Sequence, residues 1–90
     1  MTLTQAETIM LHVVVTSPER VLFDGTARRI IFPGERGTFE VLPLHRPLLS
    51  RIVGGVVEID ERAFRIRRGV VRVADDAVTA VVELPAGANR

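Results

Sequence analysis

From Leu11 to Glu83 the chain is a succession of short β-branched runs cut by Gly, Pro and Asp, and no stretch of it holds an amphipathic helical period. The period is plainest after Gly54-Gly55, where Val57 and Ile59 fall on one side of the chain and Glu58 and Asp60 on the other. A turn over residues 60–62 follows, after which Phe64 and Ile66 oppose Arg65 and Arg67. Val71 and Val73 continue the apolar side, Asp75-Asp76 supplies another turn, and Val78, Ala80 and Val82 make the last strand. Residues alternating at a period of two cannot put their apolar set on one face of a helix. The expectation is an all-β domain.

The remaining punctuation places further strands. Leu11–Thr16 reads as the first, ended by Ser17-Pro18, because Pro18 brings no N–H to a ladder and pushes the residue before it into an extended turn. Pairing resumes at Val21–Phe23, Asp24-Gly25 carries a hairpin-turn signal, and Ala27–Phe32 follows as the next strand until Pro33-Gly34 breaks it. Gly34-Glu35-Arg36-Gly37 reads as a tight turn rather than a phosphate cradle, since it has neither a Lys nor a helix after it. Thr38–Leu42 is extended, Pro43 stops it, and Pro47–Ile52 reads as no more than an edge or a bend. Runs this short suggest a β-sandwich or small barrel with sequential antiparallel pairing. Residues 1–10 read as a loose leader, 11–84 as the domain and 85–90 as a fraying tail.

Composition narrows the function classes. Ninety residues suit one domain, and the absence of cysteine excludes a disulfide framework and thiolate chemistry and fits a reducing compartment. The start has no basic segment leading a long apolar run, so neither a signal peptide nor direct membrane insertion is expected. All 12 basic residues are Arg, but 11 acidic residues nearly cancel them and leave a formal charge of +1. Arg62, Arg65, Arg67, Arg68 and Arg72 cluster, yet Arg65 and Arg67 alternate with apolar residues as the solvent face of a strand requires. With no Tyr or Trp for base stacking, no nucleic-acid partner is expected.

Catalytic chemistry is sparse. His12 and His45 are the two histidines and their spacing matches no ligand motif, so no metal or other cofactor is expected. Ser17 and Ser50 lack a nucleophile-elbow context, and Asp24 and Glu35 have no third group to make them an acid and base pair. Binding is better served. Val14, Ile31, Val56, Val70 and Val81 fall on the strand face that should be wet, a surplus that either lies scattered in solvent or is buried by a partner.

The stretch Gly34 to Leu49, read as one loop at an end of the sandwich, carries the sharpest motif. Phe39, Leu42, Pro43, His45, Pro47, Leu48 and Leu49 occur in the order and spacing of the signature segment of ATP synthase epsilon subunits, which the chain resembles. Leu11–Ser17 with Leu22-Phe23-Asp24-Gly25 resembles that family's opening strand and turn. Gly55–Ile59, Gly69–Val73 and Val78–Glu83 resemble its later strands, so the likeness covers nearly all of residues 11–84. The resemblance implies a two-sheet β-sandwich of about ten short strands. It also implies a non-catalytic, cofactor-free rotor-stalk subunit, a monomer when isolated, that joins the gamma subunit to the membrane c-ring. Its place would be the cytoplasmic face of the bacterial plasma membrane. By the same resemblance Ser17, Arg36, Thr38, Phe39, Glu40, Leu42, His45 and Ser50 are subunit-interface candidates; His45 either meets a partner or closes its own loop.

Departures from the family pattern are Thr38 where an acidic residue is common, Glu40 where a glycine is common, and Arg68 in place of one of a glycine pair. The family's two-helix C-terminal domain, tied to ATP binding and inhibition, has no counterpart after Leu84, so no ATP binding is expected of this chain. The alternative is an unrelated small β-sandwich that binds protein.

Overall fold

The computed structural model describes residues 9–87; most of the predicted leader, 1–8, and the end of the predicted tail, 88–90, lie outside the described residues. Nine strands run through it: β1 (Leu11–Thr16), β2 (Val21–Ala27), β3 (Ile30–Gly34), β4 (Gly37–Val41), β5 (Leu48–Ile52), β6 (Gly55–Ile59), β7 (Arg62–Ile66), β8 (Arg68–Ala74) and β9 (Ala77–Glu83). No helix occurs among the described residues. The strands form one hydrogen-bonded path, β2-β1-β9-β8-β5-β3-β6-β7, with β4 on the other edge of β3.

The path curls at β3. This strand pairs with β4 along its whole length, with β6 through Ile30 and Ile31, and with β5 only through Gly34 and Ile52. That single pair joins a layer of β2, β1, β9, β8 and β5 to a layer of β4, β3, β6 and β7. Their inward faces share one core, in which Leu11, Val13, Val15, Val71, Val73, Val78, Ala80 and Val82 from the first layer meet Ile30, Phe32, Val41, Val57, Ile59 and Ile66 from the second. Each aliphatic side chain buried this way contributes about 1.5–3 kcal/mol relative to exposure, which is why the period-two pattern fixes which face turns inward.

Three readings of the sequence are corrected. Sequential hairpins account for β1–β2, β3–β4, β6–β7 and β8–β9, but β5 pairs β8, β3 pairs β6, and β1 lies parallel to β9. Without β9, the second edge of β1 would be left with unpaired backbone groups. Asp24-Gly25 is no turn: both residues sit inside β2, opposite Val14 and Val13, and the chain bends instead at Arg28 and Arg29, where it passes from the first layer to the second. A Cβ at Gly25 would stand in ordinary contact with the Phe23 ring at 3.5 Å, so it is the pairing with Val13 that keeps this residue in β2. Last, Pro47–Ile52 holds a full strand, β5, paired to β8 over five residues and linking the two layers.

Gly69 and Arg68 start β8 opposite Val82 and Glu83. A Cβ on Gly69 would stand 2.5 Å from the Val81 carbonyl oxygen, so only glycine allows the two strands this approach. Arg68, where the family often has glycine, reaches Glu83 in an exposed ion pair of 3.1 Å.

Candidate protein-binding surface

On the outer face of the first layer the surplus valines fall into register. Val70 and Val81 are direct cross-strand partners and are 46% and 52% exposed. Arg51 stands beside Val70 on β5 and Thr16 beside Val81 on β1, and two residues along β5 the exposed Leu49 lies opposite Arg72. An open cleft bordered by Arg51, Val53, Arg68, Val70 and Val81 runs along this face. Arginine stems lie readily against apolar groups while their guanidinium ends stay wet, so the surface is a mixed apolar and cationic one. Val14, Ile31 and Val56, the other three valine and isoleucine candidates, are half-buried.

The loop between β4 and β5 makes a second exposed feature. The Leu42 carbonyl accepts a hydrogen bond from the His45 N–H at 3.1 Å, closing a tight turn with Pro43 and Leu44 at its centre. Pro43 suits the first central position, and the second requires positive φ; Leu44 fills it at φ 69. For a residue with a side chain that conformation costs about 1–3 kcal/mol and needs support from outside the turn. The support is Asp76, whose Oδ1 accepts the Leu44 N–H at 2.6 Å. At the tip Leu44 is 76% exposed, with Leu42 exposed beside it in the chain. His45 is half-buried, and its Nδ1–H donates to the Arg46 carbonyl at 2.7 Å.

The interface candidates divide by where β4 and the turns place them. Arg36, Thr38, Glu40 and Leu42 alternate with inward residues and are all exposed, forming one row along the outer side of β4; Glu40 also holds Arg29 at 3.4 Å. Phe39 points the other way, half-buried, with its ring 5.6 Å from that of Phe32 and packed against the core. Ser17 is 6% exposed and its hydroxyl is spent locally, donating to the Arg20 carbonyl and accepting from the Glu19 and Arg20 N–H groups. Ser50 lies on the inward side of β5 opposite Val71, its Oγ donating to the Arg51 carbonyl. These three side chains are turned to the domain itself.

Nor is Gly34 to Leu49 a single loop at one end, as its sequence suggested. The Gly34–Gly37 turn aligns, through Ile52, with the end of the molecule that carries Gly69 and Val82, whereas Leu48 aligns with Val73 and Val78 at the other end. The β4 strand runs between, so Arg36 and Leu42 stand about 20 Å apart. The sequence reading used Leu49 only as part of the motif, without placing it on the outer face, and treated Asp60 and Asp76 only as turn residues. The adjacent pair Leu48-Leu49 on a strand of period two was a signal for the first; the partners of the aspartates are too distant in sequence to leave one.

Among the described residues no three His, Asp or Glu side chains gather as a metal-holding group, and no helix is long and apolar enough to cross a membrane. Residues 10–84 match the family model described as ATP synthase, Delta/Epsilon chain, beta-sandwich domain. The ATP synthase epsilon chain of a Nitratiruptor species is 39% identical over 82 residues, covering 86% of this chain and 62% of that one. That of Bordetella avium is 39% identical over 77 residues, covering 79% of this chain and 54% of that one. The chain thus spans between half and two thirds of the length of these relatives. Among solved structures it is similar to a chain in the Euglena gracilis mitochondrial ATP synthase OSCP/F1/c-ring assembly, with a TM-score of 0.76 at 16% identity over 82% of this chain and 51% of that one. A chain of the Tetrahymena thermophila mitochondrial ATP synthase central stalk and c-ring gives a TM-score of 0.67 at 19% identity, over 81% and 63%. At these identities the structural likeness speaks for the fold.

Proposed function

Because the chain belongs to the ATP synthase delta/epsilon family through its β-sandwich domain, we propose that it is a non-catalytic rotor-stalk subunit of an F-type ATP synthase, seating the gamma subunit on the c-ring. Family membership closes the alternative of an unrelated binding sandwich. The observation that carries the reading is the Val70–Val81 pair, two branched apolar side chains side by side in solvent on a regular strand face flanked by Arg51 and Arg68. Such a surface is stable in water but gains by being covered. Gamma covers this face. The outward row of Arg36, Thr38, Glu40 and Leu42, continued by Leu44 and His45, meets the c-ring, so the chain is a monomeric adaptor held peripherally on the cytoplasmic side of the membrane through its partners. Ser17, Phe39 and Ser50 support those surfaces from within.

The experiment is Val70→Asp in the full chain. A carboxylate in place of the valine, beside Arg51 and desolvated under gamma, would weaken assembly by about 1–3 kcal/mol, read by titration against purified gamma subunit. The melting temperature of the free protein would stay near that of the parent, because residue 70 is exposed there. Unchanged affinity for gamma would sink the assignment of this face.

A further inference from the structure

The geometry points to Asp76 as the residue that positions the Leu42–His45 turn for docking, an inference that rests on the docking role proposed above for that turn. Asp76 lies far from the turn in sequence and on another hairpin, yet three of its features converge there. Its Oδ1 accepts the Leu44 N–H at 2.6 Å. The main-chain carbonyl of Asp76 accepts the His12 N–H at 2.8 Å, tying the residue to β1 at the edge of its parallel pair with β9. And Asp76 is itself at φ 61, the second of two left-handed residues in the two-residue turn between Ala74 and Ala77. From that turn its side chain reaches across to the Leu44 N–H of the neighbouring loop.

The arrangement matters because the turn it holds is under strain and apolar. Within it, the Leu42–His45 hydrogen bond and the Nδ1 bond of His45 to Arg46 are local. The Leu44 bond to Asp76 joins it to the β8–β9 hairpin. Leu44 sits at φ 69 with its side chain largely in water, a state that a free turn would leave for one with negative φ and a differently aimed leucine. Asp76 therefore sets the direction in which Leu44, and with it Leu42, is presented before any partner arrives. A preset turn loses less freedom on docking than a loose one.

Two variants of the full chain separate the side chain's role from the turn's. In Asp76→Gly the acceptor is removed while glycine takes φ 61 without strain and the carbonyl bond to His12 is kept. Asp76→Asn keeps an oxygen acceptor in the same place. Amide exchange of Leu44 by NMR should quicken by about 10-fold or more in the glycine variant and by less than about twofold in the asparagine variant. Affinity for a purified gamma and c-ring complex stripped of its own epsilon chain should fall by about fivefold with glycine and recover with asparagine. Unchanged Leu44 exchange in the glycine variant overturns the anchor outright. If exchange quickens while affinity holds, and Leu44→Asp still weakens binding, the docking role stands and the positioning role is wrong. If Leu44→Asp also binds as the parent does, the docking role fails and the inference goes with it.

Discussion

Both the β6–β7 and the β8–β9 hairpins turn on an aspartate at positive φ, and in both the carboxylate reaches 32 residues back along the chain to a main-chain N–H. What they hold differs. Asp60 takes the N–H groups of Arg28 and Arg29, at 3.0 and 3.1 Å, and its own N–H donates to the Arg29 carbonyl. It staples the β6–β7 turn to the crossover between the two layers, and the residues it fixes are exposed arginines content in water. Asp76 takes a single N–H, and the residue behind it is an exposed leucine in a strained conformation. Identical chemistry thus closes the fold at one hairpin and presents an apolar tip at the other. A hydrogen bond says little about purpose until the side chain it positions is considered.

The largest effect is expected at the root of the β8–β9 hairpin, which must be a stiff platform if Asp76 is to aim anything. Gly69→Ala places a methyl group 2.5 Å from the Val81 carbonyl, so strands must part, and the variant should lose about 2–3 kcal/mol in denaturant unfolding. A variant as stable as the parent would mean the hairpin yields easily. The next test sets the two aspartates against each other. Asp60→Gly should cost about 1 kcal/mol, the loss of two carboxylate hydrogen bonds partly offset by relief at φ 50, whereas Asp76→Gly should change stability by less than about 0.5 kcal/mol. Equal losses in thermal melts would erase the distinction between closing and presenting. The smallest effect belongs to Glu83→Gln, which removes the exposed ion pair with Arg68 beside the same root and should shift stability by less than about 0.5 kcal/mol. A larger loss would show the root held by charge, not by close packing at Gly69.

Much of the inward face was legible. Val57, Ile59, Ile66, Val71, Val73, Val78, Ala80 and Val82 were all assigned to the core by alternation and all are buried, because a half-buried strand has no other way to sort its residues. Val70 and Val81 followed by subtraction. The candidate surface was less legible: the row along β4 could be read as alternation, but Phe39 and Ser50 face inward, and Ser17 is consumed by the turn that Pro18 forces. Asp24-Gly25 misled because a turn dipeptide is only a local preference, and pairing with β1 on one side outweighs it.

Period, punctuation and motif are local properties of the chain, so the sequence was enough to tell that residues 11–84 form a strand domain, which of the alternating residues from Val57 to Val82 turn inward, and, through the motif from Phe39 to Leu49, which family the chain belongs to. Tertiary structure alone decided that β1 lies parallel to β9, that β5 and β3 hinge the two layers, that Val70 meets Val81 while Arg36 stands far from Leu42, and that Asp76 reaches Leu44. Those are pairings between distant segments. Any strand with an apolar face and free backbone groups can pair with many others, and only the burial of one shared core together with the pairing of every strand selects the partners.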